Sequence, residues 1–320
     1  MFIDYSGSME INLGATLEHL ANLVLFCRAI GVPFNVYAFT TSPFPSSSAG
    51  FDKPEDSEIS LANTVFLELF SSKMSKAQLI VKDQGIIAGI ELAEWIFESI
   101  DPTLFMEINV KDGDKVKKGD IAFSVKGCSI SILTAERLVL NCMQRMSAIA
   151  TKTRDYVELV KGTKTTILDT RKTTPGIRIL EKWAVKIGGG DNHRFGLYDM
   201  IMLKDNHIDY AGGITKAIDK AKKYLKEKNL NLKIEVEARD LNEVKEIMTT
   251  KGVHRIMLDN FTPKDTIKAV KLINGKFETE SSGGITSSTI RTYAECGVDF
   301  ISVGALTHSI YNMDLSLKAY

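Results

Sequence analysis

A chain of 320 residues, 44% hydrophobic and 25% charged, is long enough for one large domain beside a smaller one and has the balance of a globular protein. Its 40 basic residues are matched by 40 acidic ones, which excludes a chain-wide polyanion binder: nucleic acid is not expected, and an anionic ligand must be held by a local cluster. Four scattered cysteines (Cys27, Cys128, Cys142, Cys296) form no CxxC pair, the first residues lack a basic-then-apolar leader, and no apolar run could span a bilayer; a cytoplasmic chain with reduced thiols and no membrane association is expected.

Residues 1–77 differ in texture from the rest. FIDYSGSM predicts a short strand entering a Gly/Ser turn, TLEHLANLVLFCRAIG a helix and VPFNVYAFTT a second strand. SPFPSSSAGFDKPEDSE reads as a loop, and LANTVFLELFSSKMS as one more helix. From residue 78, QLIVKDQGIIAGIELAEWIFESI predicts strand, turn and helix, and INVKDGDKVKKGDIAFSVKG short strands around two glycine turns. These make a small sandwich domain over 78–133, on which the last strand or helix packs back. DGDKVKKGD resembles a biotinyl-carrier hairpin, but no lysine stands at its tip, so it is read as structural.

A helix from about Thr134 to Val160 opens a larger domain over 134–320. TTILDT, MIMLKDN, KIEVEA, HRIMLDN, FETESS and DFISVG then alternate with helical stretches. Apolar strands alternating with helices imply a parallel α/β sheet, open or closed into a barrel. Nearly every strand ends in polar or glycine residues, and in such folds the carboxyl ends of the strands carry the site. One such residue could merely cap the next helix. Arg171, Lys172 and Lys204 cannot, because cations oppose the dipole at a helix N-terminus.

Residues 168–207 concentrate Arg171, Lys172, Arg178, His193, Arg194 and Lys204. Such a cluster repels itself unless anions occupy it, and guanidinium forks suit carboxylates and phosphates alike. SSGGIT (281–286) and SVGALTHS (302–309) bring Ser282, Gly283, Gly284 and Gly304 to the last strand ends, where glycine lets backbone approach a phosphate. Glu237 and Asp259, at neighbouring strand ends, could hold Mg²⁺ with substrate oxygens, or pair with Lys172 or Lys204.

TRKTTPG, GGGDNHRFGL, LKDNH, IEVEA, IMLDN, SSGG and GVDFISVGALTHS, with AERLVLNCMQRMSAIAT before them, resemble the quinolinate phosphoribosyltransferase family in order and spacing over about residues 78–320. The resemblance implies an open-sided, TIM-like α/β barrel with a small α/β sandwich domain, in a homodimer or assembly of dimers with shared active sites. It implies transfer of phosphoribosyl from phosphoribosyl pyrophosphate to quinolinate, yielding nicotinate mononucleotide, CO₂ and pyrophosphate for NAD biosynthesis, with Mg²⁺. It further implies that Arg137 reaches the neighbouring subunit's quinolinate, and that Thr170, Arg171, His193, Arg194 and Lys204 bind substrate. Lys172 would stand between quinolinate and pyrophosphate, Glu237 and Asp259 at the ribose hydroxyls and Mg²⁺, and Ser282, Gly283, Gly284 and Gly304 around the 5-phosphate. His207 is expected to be a structural hydrogen-bonder.

Asp4-Tyr5-Ser6-Gly7-Ser8 is similar to the metal-binding start of a von Willebrand factor A domain, so 1–77 is expected to be a fragment or fusion of that kind. Two further readings follow: a paralogous transferase acting on another heteroaromatic acid, and a Mg²⁺-dependent interaction protein with an inactive barrel.

Overall fold

The computed structural model describes residues 2–4, 37–39 and 73–320. The chain divides into two compact units, 1–144 with 313–320, and 145–312. Strands β1 (Phe2–Asp4) and β2 (Tyr37–Phe39) fall on the two strands expected near the N-terminus and pair in parallel, Phe2 opposite Tyr37. The helix expected over 16–31, the helix expected over 61–75 up to residue 72, and the side chains of the Asp4/Ser6/Ser8 motif lie outside the described residues; Met74 and Ser75, at the end of the second expected helix, are instead strand, because they pair with Cys128 and Gly127.

The first unit is built on a four-stranded antiparallel sheet of β3 (Met74–Val81), β5 (Phe105–Ile108), β7 (Ile121–Cys128) and β14 (Leu315–Ala319), in the order β14-β3-β7-β5. MSKAQLIV alternates, burying Ala77, Leu79 and Val81, so the strand starts at Met74 and the expected boundary at 77/78 falls inside it. Pairing with β7 from Met74 onward is the reason: a strand cut at 78 would lose half its ladder. α1 (Ile90–Ile100) buries Ile90, Leu92, Ala93, Ile96 and Phe97 at helical spacing, and Phe97 meets Phe123 of β7 edge to face at 5.9 Å.

The aspartates of DGDKVKKGD hold turns. Asp112 Oδ1 accepts the Ile90 N–H at the start of α1 (2.9 Å), Asp114 accepts from Lys111 and Asp120 from Lys117. Between them β6 (Lys115–Val116) pairs with β4 (Gly85–Ile86).

Helix α2 spans Ser129–Leu159 and starts five residues before the expected Thr134. Residues 134–144 belong to the first unit rather than to the barrel.

The second unit carries six parallel strands: β8 (Thr166–Leu168), β9 (Met200–Leu203), β10 (Lys233–Ala238), β11 (Arg255–Asp259), β12 (Glu278–Ser282) and β13 (Phe300–Ser302). Their order, β8-β13-β12-β11-β10-β9, leaves β8 and β9 at the two ends without pairing to each other, the open-sided α/β barrel; the outer edge of β8 carries a single bridge to Asp191. Helices α3 (Arg178–Ile187), α5 (Ile214–Glu227), α6 (Leu241–Thr249) and α7 (Pro263–Ile273) connect successive strands. α5 buries Ile214, Ala217, Ile218 and Ala221, one stripe at i, i+3, i+4 and i+7. The register sets Glu235 opposite Arg255, Glu237 opposite Met257, Met257 opposite Glu280, and Asp259 opposite Ser282. Because side chains alternate across a strand, Glu235 and Glu237, Arg255, Met257 and Asp259, and Glu280 and Ser282 share one side of the sheet.

Candidate active site

At the carboxyl ends of these strands lies a cavity of ≈ 1150 Å³ within the second unit. Thr170, Arg171, Lys172, Arg194, Lys204, Asp259, Ser282, Gly283, Gly284 and Gly304 line it. Met200, Met202, Met257 and Leu197 supply apolar wall against which an aromatic ring can pack.

The segment after β8 is pinned at both ends. Thr307 Oγ1 donates to the Lys172 carbonyl at 2.8 Å, and Lys172 N–H donates to Thr170 Oγ1 at 3.1 Å. Glu181, wholly buried, accepts from Thr174 N–H and Oγ1 and from Arg145, whose guanidinium also donates to the Thr307 carbonyl. Arg178, one of the expected cationic cluster, is used inside the protein: it donates to Thr173 Oγ1 and to the Phe195 carbonyl, joining two pocket segments. Four cations, Arg171, Lys172, Arg194 and Lys204, therefore face the cavity. Arg171 Nε is buried without a hydrogen-bond partner among the described residues, a donor suited to an anion. Burial, and then the Arg171 charge, press the Arg194 guanidinium below its usual range.

His193 is in the cavity wall, yet its ring is turned into the protein. Nε2 stands 3.0 Å from Glu235 Oε2 and 3.3 Å from Glu280 Oε2, both carboxylates wholly buried. Burial opposes a charge on the ring, whereas the two glutamates would lift it to about 9. Nδ1, however, lies 2.7 Å from the Arg194 N–H and accepts from it, so the contacts select the neutral ring with its proton on Nε2. Burial, reinforced by Glu280, raises the Glu235 carboxyl to about 7.

Lys204 occupies the N-cap position of α4 (Asp205–Ala211), which the dipole argument had excluded. Its backbone takes the cap geometry while the His207 ring accepts the Lys204 N–H at 3.0 Å, and its ammonium reaches away to Glu237 at 3.2 Å. His207 is thus a structural acceptor, as expected. Burial raises the Glu237 carboxyl above its ordinary range, with Lys204 opposing and Asp259 adding to the shift. The ion pair with Lys204 is formed and Asp259 acts on the same carboxyl; Lys204 and Asp259 line the cavity, whereas Glu237 lies behind Lys204 and is not among the lining residues.

The glycine ends differ among themselves. Gly283 has φ +92°, and a Cβ there would come within 2.2 Å of Asn260 Oδ1 and 2.9 Å of the Asn260 backbone nitrogen. A Cβ on Gly304 would press the Lys172 chain at 3.1 Å. The helices after β12 and β13 are short, α8 (Ile290–Glu295) and α9 (Ala305–His308), and the glycines that line the cavity lie before them. Arg137 belongs to the first unit and is exposed on α2.

Sequence reasoning missed the second layer. Asp169 and Lys182 form an ion pair with both side chains at most 1% exposed, and Arg255 bridges Glu278 and Glu280 beneath the Phe300 ring. Alternation was the available signal: Glu235 sits two residues before Glu237, and Glu280 two before Ser282, on the same side of their strands.

The N- and C-terminal domains of quinolinate phosphoribosyl transferase match residues 63–147 and 149–318, so the likeness starts 15 residues before the expected 78. Quinolinate phosphoribosyltransferase [decarboxylating] 1b of Nicotiana tabacum is 48% identical over 258 residues, 76% of this chain and 73% of that one. The chloroplastic nicotinate-nucleotide pyrophosphorylase [carboxylating] of Arabidopsis thaliana is 48% identical over 260 residues, with the same coverage. The solved nicotinate-nucleotide pyrophosphorylase of Francisella tularensis superposes with a TM-score of 0.74 at 38% identity, covering 86% of this chain and all of that one. The chain belongs to the quinolinate phosphoribosyltransferase family.

Proposed function

We infer that the protein transfers the phosphoribosyl group of phosphoribosyl pyrophosphate to quinolinate with decarboxylation, a step of NAD biosynthesis. The observation that carries this reading is the pairing, in one cavity, of four cations with apolar side chains and the glycine-bearing ends of β12 and β13. A flat dicarboxylic acid needs the first two, and a sugar phosphate the third.

In this reading Arg171, Arg194 and Lys204 hold the two carboxylates, His193 orders Arg194, and Thr170 shapes the same side. Lys172 stands between the acid and the leaving pyrophosphate. Ser282, Gly283, Gly284 and Gly304 receive the 5-phosphate, and Glu237 and Asp259 meet the ribose hydroxyls. Two carboxylates are enough for Mg²⁺ when substrate oxygens complete its shell, and the crowding of Glu237 by Asp259 fits a cation there; bound Mg²⁺ would neutralise pyrophosphate charge. The bond from ribose C1 to the pyrophosphate oxygen breaks with its electron pair leaving on pyrophosphate, and the ring nitrogen of quinolinate supplies the pair for the new C–N bond. The quaternised ring then accepts the pair released as the 2-carboxylate departs as CO₂, and a proton takes its place. The chain's residues act by placement and charge rather than as nucleophiles.

We further propose a homodimer, or an assembly of dimers, in which exposed Arg137 serves the partner's site. No helix among the described residues is long and apolar enough to cross a membrane, and Cys128, Cys142 and Cys296 are free thiols, which agrees with a reducing compartment. The cytosol is our reading, with the organelles named for plant relatives as the alternative.

Acceptor specificity tests the function. With phosphoribosyl pyrophosphate and Mg²⁺, quinolinate should give nicotinate mononucleotide while nicotinate, lacking the second carboxylate, should not. Equal use of both acids, or of neither by folded protein, would contradict the reading.

A further inference from the structure

Beneath the cavity, His193, Glu235 and Glu280 bring one ligand atom each within 4.8 Å of one another, all buried. Their spacing would suit a small cation, but the ring excludes one. Nδ1 accepts the Arg194 N–H at 2.7 Å, so the ring proton is on Nε2 and no lone pair is left there for a metal. Glu280 Oε2 is also engaged by Arg255 at 2.9 Å. Glu235 and Glu280 place carboxylate oxygen 3.0 and 3.3 Å from Nε2 without the alignment of a hydrogen bond, so it is their negative charge beside the Nε2–H edge that favours one orientation of the ring.

The backbone of His193 is fixed with equal care. Its N–H donates to Asp169 Oδ1 at 2.8 Å and its carbonyl accepts from Lys182 Nζ at 3.0 Å, and those two groups are themselves the buried ion pair. The next residue is Arg194. Its N–H is bound to the His193 ring, and its guanidinium, in the cavity wall, donates to the Met200 carbonyl at 3.3 Å.

We propose that Glu235, together with Glu280, is a positioning residue: by presenting carboxylate oxygen to the Nε2 edge of the ring it turns Nδ1 onto the Arg194 N–H and so presets the Arg194 guanidinium for a carboxylate of the aromatic acid. This rests on the cavity being the quinolinate site. Glu235 never meets substrate, and a guanidinium set in advance gains affinity by avoiding the cost of ordering it.

The test uses the full chain with Glu235→Met, which keeps volume and removes the acceptor, and Glu235→Gln, which retains an acceptor. KM for quinolinate and for phosphoribosyl pyrophosphate are measured separately, and ¹⁵N shifts of the His193 ring report its tautomer. Glu235→Met should raise KM for quinolinate at least tenfold, leave KM for phosphoribosyl pyrophosphate and kcat within about threefold, and lose the Nε2–H signature. Glu235→Gln should return KM to within about threefold of the parent. Unchanged KM for quinolinate, or both KM values rising together, would overturn the proposal. If Glu235→Met does not fold, His193→Gln provides the same split, since it deletes the Nδ1 acceptor; an unaltered KM for quinolinate there would also overturn it. A parent inactive on quinolinate would sink the substrate reading instead, and the nitrogen shifts of Glu235→Met against the parent would then decide whether Glu235 orients the ring.

Discussion

Gly283 shows how a single residue can be constrained by both backbone and space. At φ +92° an alanine costs about 1–2 kcal/mol in backbone strain alone, and its Cβ would collide with Asn260. Gly283→Ala should raise KM for phosphoribosyl pyrophosphate more than tenfold while circular dichroism stays native; an unchanged KM would remove this loop from the phosphate site. The Lys182–Asp169 pair is constrained by charge. Both side chains are buried, so Lys182→Met strands a carboxylate and should destabilise the fold by about 3–5 kcal/mol in urea unfolding. The double variant Lys182→Met/Asp169→Leu should recover part of that loss, and no recovery would mean that packing rather than charge dominates there.

Elements are held by similar local devices. Asp240 caps α6, its carboxylate accepting the N–H groups of Asn242 and Glu243, so Asp240→Ala should cost about 1 kcal/mol of stability with turnover unaffected. Asp299 stitches three strand starts: its carboxylate accepts from Lys164 and from Thr279 N–H and Oγ1, and its carbonyl accepts the Thr166 N–H. Burial alone would raise this carboxyl, but the Lys164 and Thr279 bonds win and hold it below its ordinary value. A depressed carboxylate stabilises the fold above its unfolded pKa, about 3.9, and that stabilisation is lost as pH falls through the folded value. The stability gap between parent and Asp299→Asn should therefore narrow as pH drops from 6 toward 3; a constant gap would assign the effect to shape. The six strands of the barrel were legible in the sequence through their alternation with helices; five carry apolar residues before a polar or glycine end, whereas β12 is Glu-Thr-Glu-Ser-Ser and buries Thr279, Glu280 and Ser281. The start of β3 was not, because SKMSK is too polar to mark a strand until β7 pairs with it.

At the scale of the molecule, the cationic side of the site was legible as a cluster, since unpaired positive charge has to be explained locally. What escaped was the division of labour within it. Arg178 and His193 look like ligand-binding residues by type, but only three-dimensional partners reveal that their hydrogen bonds are spent inside the protein. The family match begins at residue 63, and the cavity is lined by residues 170–308 among those described. A chain starting at residue 63 should therefore keep kcat/KM for quinolinate within about twofold of the parent, whereas a large loss would give the first 62 residues a part in the active assembly.

Release of CO₂ from quinolinate labelled in the 2-carboxylate tests the central claim most directly, because it reports transfer and decarboxylation at this cavity together. With phosphoribosyl pyrophosphate and Mg²⁺ the parent should release label in step with nicotinate mononucleotide, and Lys172→Ala should fall at least a hundredfold, about 2.7 kcal/mol. No label from folded parent protein, or undiminished release from Lys172→Ala, would contradict the account.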